Sequence, residues 1–274
     1  MKKKILFPLL LILISLFSSC EEVVNVDLDT AAPLLVVEAN IGWIKGSSGN
    51  AQKIKLTTTT AYYDTEVPIV TGAKVSIANS DNTVFNFVEI PNTGEYGCTN
   101  FVPEIGETYT LKIINNGETY TATEIFQALA PITRIEQNNE GGFTGKDIEI
   151  KAYFNDPATV NNYYLYRYEY SNQASVDYNV DDDKFFQGNE FFSLSQKDDL
   201  KKGDVIELTH FGISKQYYNY MNILIGIMGN NSGGPFQTPP ATVRGNISNS
   251  TNPKNYPLGY FALGESDMRR YVVQ

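Results

Sequence analysis

Apolar and polar residues alternate one for one through many short stretches of this chain. Lys53-Ile54-Lys55-Leu56-Thr57, Ala73-Lys74-Val75-Ser76-Ile77 and Val84-Phe85-Asn86-Phe87-Val88 all do so. A period of two places alternate side chains on opposite faces of a strand, one face to bury and one to leave wet. Between the stretches stand turn residues, such as Asn79-Ser80-Asp81-Asn82 and Asn115-Asn116-Gly117. The second of these separates Thr108–Ile113 from Thr119–Thr123 and predicts a hairpin. Leu34–Ile41 and Gly94–Cys98 complete about seven short strands before residue 126. That spacing predicts a β-sandwich of the immunoglobulin or transthyretin kind.

Ala128-Leu129-Ala130-Pro131 reads as a boundary, with a second β-rich segment from Ile132. Ile148, Ile150, Ala152 and Phe154 share a face of one strand there. The stretch Tyr163–Tyr170 puts Tyr164, Tyr166, Tyr168 and Tyr170 on one face and Leu165, Arg167 and Glu169 on the other. Val205–Leu208 is a further strand. A helix is expected from about Ser214 to Met228, with Ser214 capping its free N–H groups and Gly229 ending it. Tyr217, Met221, Leu224 and Met228 recur at helical spacing and form a stripe to bury. Gly259–Leu263 and Arg270–Val273 are expected as two short closing strands. The fold class is therefore mainly β: a sandwich domain over 33–128, then a β-rich domain over 129–274 with one helix near 214–228.

The N-terminus has a different character. Met1-Lys2-Lys3-Lys4 precedes an apolar run, Ile5–Phe17, broken only by Pro8 and Ser15; Ser18-Ser19-Cys20 follows. A cationic head, a short apolar middle and a small-residue end describe a signal peptide over 1–19. The run is shorter than the ~20 residues a spanning helix needs. Phe17-Ser18-Ser19-Cys20 resembles a bacterial lipobox, with phenylalanine where leucine is usual. Lipidation is expected on Cys20, and the polar stretch after it makes 20–32 a tether. Acyl chains contribute about 0.8 kcal/mol per buried methylene, so two or three of them hold firmly to a membrane.

Composition narrows the partners. The net charge is −10, and loss of the three signal lysines takes the mature chain to −13. Phosphate binding needs clustered Lys and Arg, whereas Lys201-Lys202 and Arg269-Arg270 are isolated pairs, so no nucleic-acid partner is expected. With Cys20 acylated, Cys98 alone remains and no internal disulfide is possible; it reads as a small core residue.

Catalytic patterns are weak. A serine triad or a zinc site would have to use His210, the one histidine, and no Gly-x-Ser-x-Gly elbow accompanies it. His210 reads as structural. Asp181-Asp182-Asp183 offers oxygens to a hard cation, but the following residues lack calcium-loop spacing, and a solvated loop is expected. Gly229–Gly234 follows a helix and lacks the Gly-Lys-Ser/Thr ending of a phosphate loop. Neither a cofactor nor a metal is expected. The tyrosine row, Tyr164, Tyr166, Tyr168 and Tyr170, is the candidate ligand face. Tyrosine suits sugar or peptide surfaces, but a β-core facing the helix would use the same residues and is the favoured reading.

Several segments together resemble one family. Gly106–Ile113 and Pro131-Ile132, then Tyr217-Tyr218-Asn219-Tyr220, Pro235-Phe236, Pro239-Pro240, Gly245-Asn246-Ile247 and Leu258-Gly259-Tyr260-Phe261, stand in the order of Bacteroidota lipoproteins sharing domain of unknown function 4249. The resemblance implies an outer-membrane lipoprotein that assists a TonB-dependent receptor barrel in uptake, without catalytic residues. An independent glycan- or peptide-binding lipoprotein is the alternative.

Overall fold

A computed structural model describes residues 32–229 and 243–274. Cys20, Pro235-Phe236 and Pro239-Pro240 lie outside the described residues. Among those described, no helix is long and apolar enough to cross a membrane.

The first half supplies seven strands: β1 (Leu35–Ile44), β2 (Gln52–Thr58), β3 (Lys74–Asn79), β4 (Val84–Ile90), β5 (Glu95–Cys98), β6 (Thr108–Asn115) and β7 (Glu118–Ile125). The second half supplies β8 (Ile132–Gly141), β9 (Asp147–Asn155), β10 (Tyr163–Tyr170), β11 (Val176–Asp182), β12 (Glu190–Lys197), β13 (Val205–Gly212), the helix α1 (Lys215–Gly229), β14 (Ser248–Asn249) and β15 (Leu258–Val272). The chain is thus mainly β, as the alternating pattern requires. The predicted hairpin forms as β6–β7, with Asn115 opposite Glu118 and Asn116 and Gly117 both at positive φ, which a tight reversal needs.

Twelve strands form one continuous ribbon in the order β11-β10-β13-β15-β1-β2-β5-β4-β3-β6-β7-β14. Its first-half portion folds over itself, because β1, β2 and β5 share a core with β3, β6 and β7. Val37, Ile54, Leu56, Tyr96, Ile77 and Leu111 are fully enclosed there, and Cys98 joins them as a small core residue. Phe261 and Leu263 of β15 complete the same core.

The remaining strands, β12-β9-β8, make a separate three-stranded sheet. Together with β10 and β13 it encloses a second core. A third core lies on the opposite face of β10–β13–β15, where Leu165, Ile213, Tyr260 and Ala262 meet Tyr217 and Met221 of α1.

The closing strand departs from expectation. In place of two short strands, β15 runs unbroken for 15 residues. It pairs parallel to β1 from Leu258 to Ser266, and antiparallel to β13 from Ser266 to Val272. The polar residues Glu265, Ser266 and Asp267, which lie between the two expected strands, are buried. Glu265 Oε2 accepts the Leu129 N–H at 2.9 Å and Oε1 pairs with Lys45 Nζ at 2.7 Å. Asp267 Oδ2 accepts the Ile132 N–H at 2.9 Å and meets Arg269 at 3.0 Å. These carboxylates satisfy the backbone of the segment that joins the halves.

Candidate cleft beneath the helix

The tyrosine row is core. Tyr164, Tyr166, Tyr168 and Tyr170 are each 6% exposed or less and pack against Phe154, Ile150 and Leu208. They offer no surface to a ligand. The reason is non-local: the β8–β9–β12 sheet covers that face. The hydroxyl of Tyr164 donates to Asp156 Oδ1 at 2.5 Å, while those of Tyr166 and Tyr168 have no hydrogen-bond partner. His210 lies opposite Tyr166 on β13, with its ring 4.6 Å from that of Phe154 and 4.9 Å from that of Tyr166. Burial holds it neutral, pulling its pKa down to about 3.

The aspartate run is not a solvated loop. Asp181 and Asp182 end β11, and Asp183 is buried, accepting the Asn162 N–H at 2.6 Å. Burial raises the Asp181 carboxyl to about 6. Among the described residues no group of three or more His, Cys, Asp or Glu is placed to hold a metal ion.

The open concavity lies on the other face of the ribbon, beneath α1. The local sequence builds it. Ser214 Oγ accepts the Tyr217 N–H at 3.2 Å and so caps the helix, as its position predicted. The stripe that follows is only partly covered: Tyr217 and Met221 are buried, Leu224 is half-buried, and Met228 is 59% exposed. The uncovered end walls a groove of about 530 Å³ against Val37, Glu38 and Asn40 of β1 and Val176–Asn179 of the edge strand β11. A smaller hollow of about 240 Å³, lined by Arg167, Phe211 and Gly42, shares Asn40, Tyr178 and Tyr217 with it.

The lining is largely aromatic and apolar. The Tyr260 ring stands 4.6 Å from that of Tyr217 and 4.9 Å from that of Tyr220. Exposed Glu38 is part of the lining; burial and this carboxylate raise the Tyr220 pKa. Arg167, paired with Glu169 at 2.7 Å, lies in the inner hollow. Burial also raises the pKa of Tyr217 and Tyr260, so these two and Tyr220 stay protonated near neutrality and can donate as well as accept hydrogen bonds. At the helix start, Glu124 accepts from Ser214 Oγ at 3.0 Å, and its burial raises its pKa.

Such a cleft has the features of a binding site for an elongated ligand: planar rings to stack on, apolar side chains, and a few polar groups such as Glu38 and Asn40. Sequence reasoning read the α1 stripe as something to bury and had no assignment for β11, so Tyr178, Tyr220, Glu38 and Asn40 were not singled out. A signal was present. The stripe continues to Met228, the last turn of the helix, where it is exposed.

No curated protein matches the sequence. Among solved structures, the chain is similar to a two-fibronectin-type-III-domain segment of chicken tenascin, at 10% identity and a TM-score of 0.21, over 68% of this chain and 89% of that one. A chicken CNTN1 segment of domains FN1–FN3 matches at 12% identity and a TM-score of 0.25, over 67% and 62%. A DUF4785 family protein of Legionella pneumophila matches at 8% identity and a TM-score of 0.26, over 65% and 52%. The family model described as domain of unknown function DUF4249 matches residues 21–270, beginning directly after Cys20, and the chain belongs to that family.

Proposed function

We propose that this protein is a lipid-anchored, non-enzymatic component of the outer membrane that assists a TonB-dependent receptor by holding a ligand in the cleft beneath α1. The observation that carries the binding role is the cleft itself, an open groove lined by close-set tyrosine rings and the apolar stripe of α1. Anchoring follows from the lipobox-like Phe17-Ser18-Ser19-Cys20. The receptor partnership follows from the family resemblance. An elongated peptide or glycan suits the groove, because each combines faces that stack on rings with polar groups along an edge.

The test is a pull-down of tagged protein from mild-detergent extracts of its native cells. A stoichiometric receptor barrel, lost with Cys20→Ala, supports the accessory role. Recovery of the protein alone, with the barrel present in the extract, rejects a stable complex. The second reading, an independent glycan- or peptide-binding lipoprotein, draws on the same cleft. It is favoured if soluble protein binds a screened glycan or peptide without a barrel and Tyr220→Ala weakens binding about two- to tenfold, the worth of one aromatic stacking contact.

A further inference from the structure

The loop between β2 and β3 carries the most concentrated apolar exposure near the start of the described chain. Tyr62 is 83% exposed, Tyr63 71% and Val67 60%, with the two tyrosine rings edge to face at 5.1 Å. Isolated exposed apolar residues are ordinary, whereas neighbouring ones on a single projection mark an interaction surface. The base of the projection is firm. Thr58 N–H donates to Pro68 O at 2.9 Å, and Val70 N–H to Leu56 O at 3.0 Å.

The position of that base decides the partner. Leu34 and Thr59 are joined twice: Thr59 N–H donates to Leu34 O, and Leu34 N–H donates to Thr59 Oγ1, each at 2.9 Å. Leu34 is where the chain enters the fold, 14 residues after Cys20. A fully extended connection of that length spans at most about 50 Å, at ~3.3–3.6 Å per residue. A lipid on Cys20 would keep this loop at high effective concentration near the bilayer surface. Tyrosine is the residue type that prefers the membrane–water interface, with its ring among the acyl boundaries and its hydroxyl in the headgroup layer.

Resting on the reading of Cys20 as lipidated, we infer that Tyr62, Tyr63 and Val67 form a second, non-covalent contact with the membrane, seated in its interface. Charge selects the lipid. Asp64 and Glu66 stand within the loop and the chain is acidic overall, so the contact suits zwitterionic headgroups and disfavours anionic ones. One consequence is orientation: an anchor at one point leaves the body free to swivel, and a second contact beside its entry residue sets which end faces the bilayer.

The test uses full-length lipidated protein in phosphatidylethanolamine-rich vesicles, with and without brominated acyl chains. The chain holds one native tryptophan, Trp43, whose signal is the background. Tyr62→Trp and, independently, Val67→Trp place an indole in the loop. Phe143→Trp places one at another fully exposed aromatic position. The expected result is that brominated lipid removes half or more of the added emission of the loop variants and leaves that of Phe143→Trp unchanged. Equal, negligible quenching in all three, on protein that floats with the vesicles and carries acyl mass on Cys20, overturns the loop contact alone. Absence of acyl mass and of flotation overturns the anchor and the loop contact together. Shielding of the loop indole from acrylamide in native outer membranes, without quenching in vesicles, assigns the surface to a protein and rejects the lipid.

Discussion

Asp267 Oδ2 and the Ile132 backbone N–H lie 2.9 Å apart, a buried hydrogen bond spanning 135 residues of sequence. Two residues earlier on β15, Glu265 repeats the arrangement with Leu129. The connecting segment is thereby held as part of the ribbon. Removing an acceptor strands a buried donor, which costs about 1–3 kcal/mol. Asp267→Ala is expected to lower unfolding free energy by about that amount in urea titrations, with an unchanged m-value. Asp267→Asn, which keeps an acceptor oxygen, is expected to lose less.

Stability is expected to depend on pH through two groups of opposite sign. Neutral His210 has a folded pKa of about 3, below its unfolded 6.5. The unfolded chain binds the extra proton, so this contribution is present above pH 6.5 and is lost as pH falls towards 3. Its full extent is on the order of 4 kcal/mol. Asp181, raised to about 6 from 3.8, contributes stability that is present below about pH 4 and lost as pH rises through 6. Chemical denaturation between pH 4 and 7 separates them. Over about pH 4 to 6 the two slopes oppose each other, so His210→Phe is expected to leave stability falling as pH rises, and Asp181→Asn to leave it falling as pH drops while stabilising the protein near pH 7.

Ser214 does two jobs at once, accepting the Tyr217 N–H and donating to Glu124. Ser214→Ala is expected to cost about 1 kcal/mol, the usual worth of such a cap. Thermal unfolding measures it, and Ser214→Asp is expected to recover less than a cap replacement normally does, because a second carboxylate would face Glu124.

Glycines on the ribbon divide into two kinds. A Cβ on Gly212 would lie 2.0 Å from Ala128 O, a backbone atom that β15 and the pinned connection hold in place. Gly212→Ala is expected to prevent accumulation of folded protein. A Cβ on Gly42 meets nothing nearer than 3.6 Å. Gly42→Ala is expected to fold with less than about 1 kcal/mol of change and to narrow the inner hollow, which ligand titration would read as weakened binding.

The local parts of this architecture were legible in the sequence. Alternation delimits β10 at Tyr163–Tyr170, and the Ser214 cap and its stripe locate α1. Alternation says which residues share a face but not what covers that face. The tyrosine row reads as core facing the helix, with a platform as the alternative; only β8–β9–β12 shows that the cover is a sheet. The buried carboxylates of β15 could not be anticipated, because their partners, the N–H groups of Leu129 and Ile132, are more than 130 residues away in sequence. The cleft was hidden for the same reason: one wall is a helix face, and the others come from β1 and β11, more than 130 residues apart.

The ribbon also sets an order of events during synthesis. Phe261 and Leu263 belong to the core otherwise built from residues 35–126 and Ile247, and β15 is a hydrogen-bonded neighbour of β1. A nascent chain that has emerged only as far as β7 therefore owns nearly all of that core and cannot seal it. β1 waits with one edge open until the final strand arrives, a long-separated pairing that slows folding and exposes an edge to unwanted partners. A chaperone acting on this protein would find its substrate in that interval, and a stop codon before residue 258 would disable the first half of the molecule along with the last.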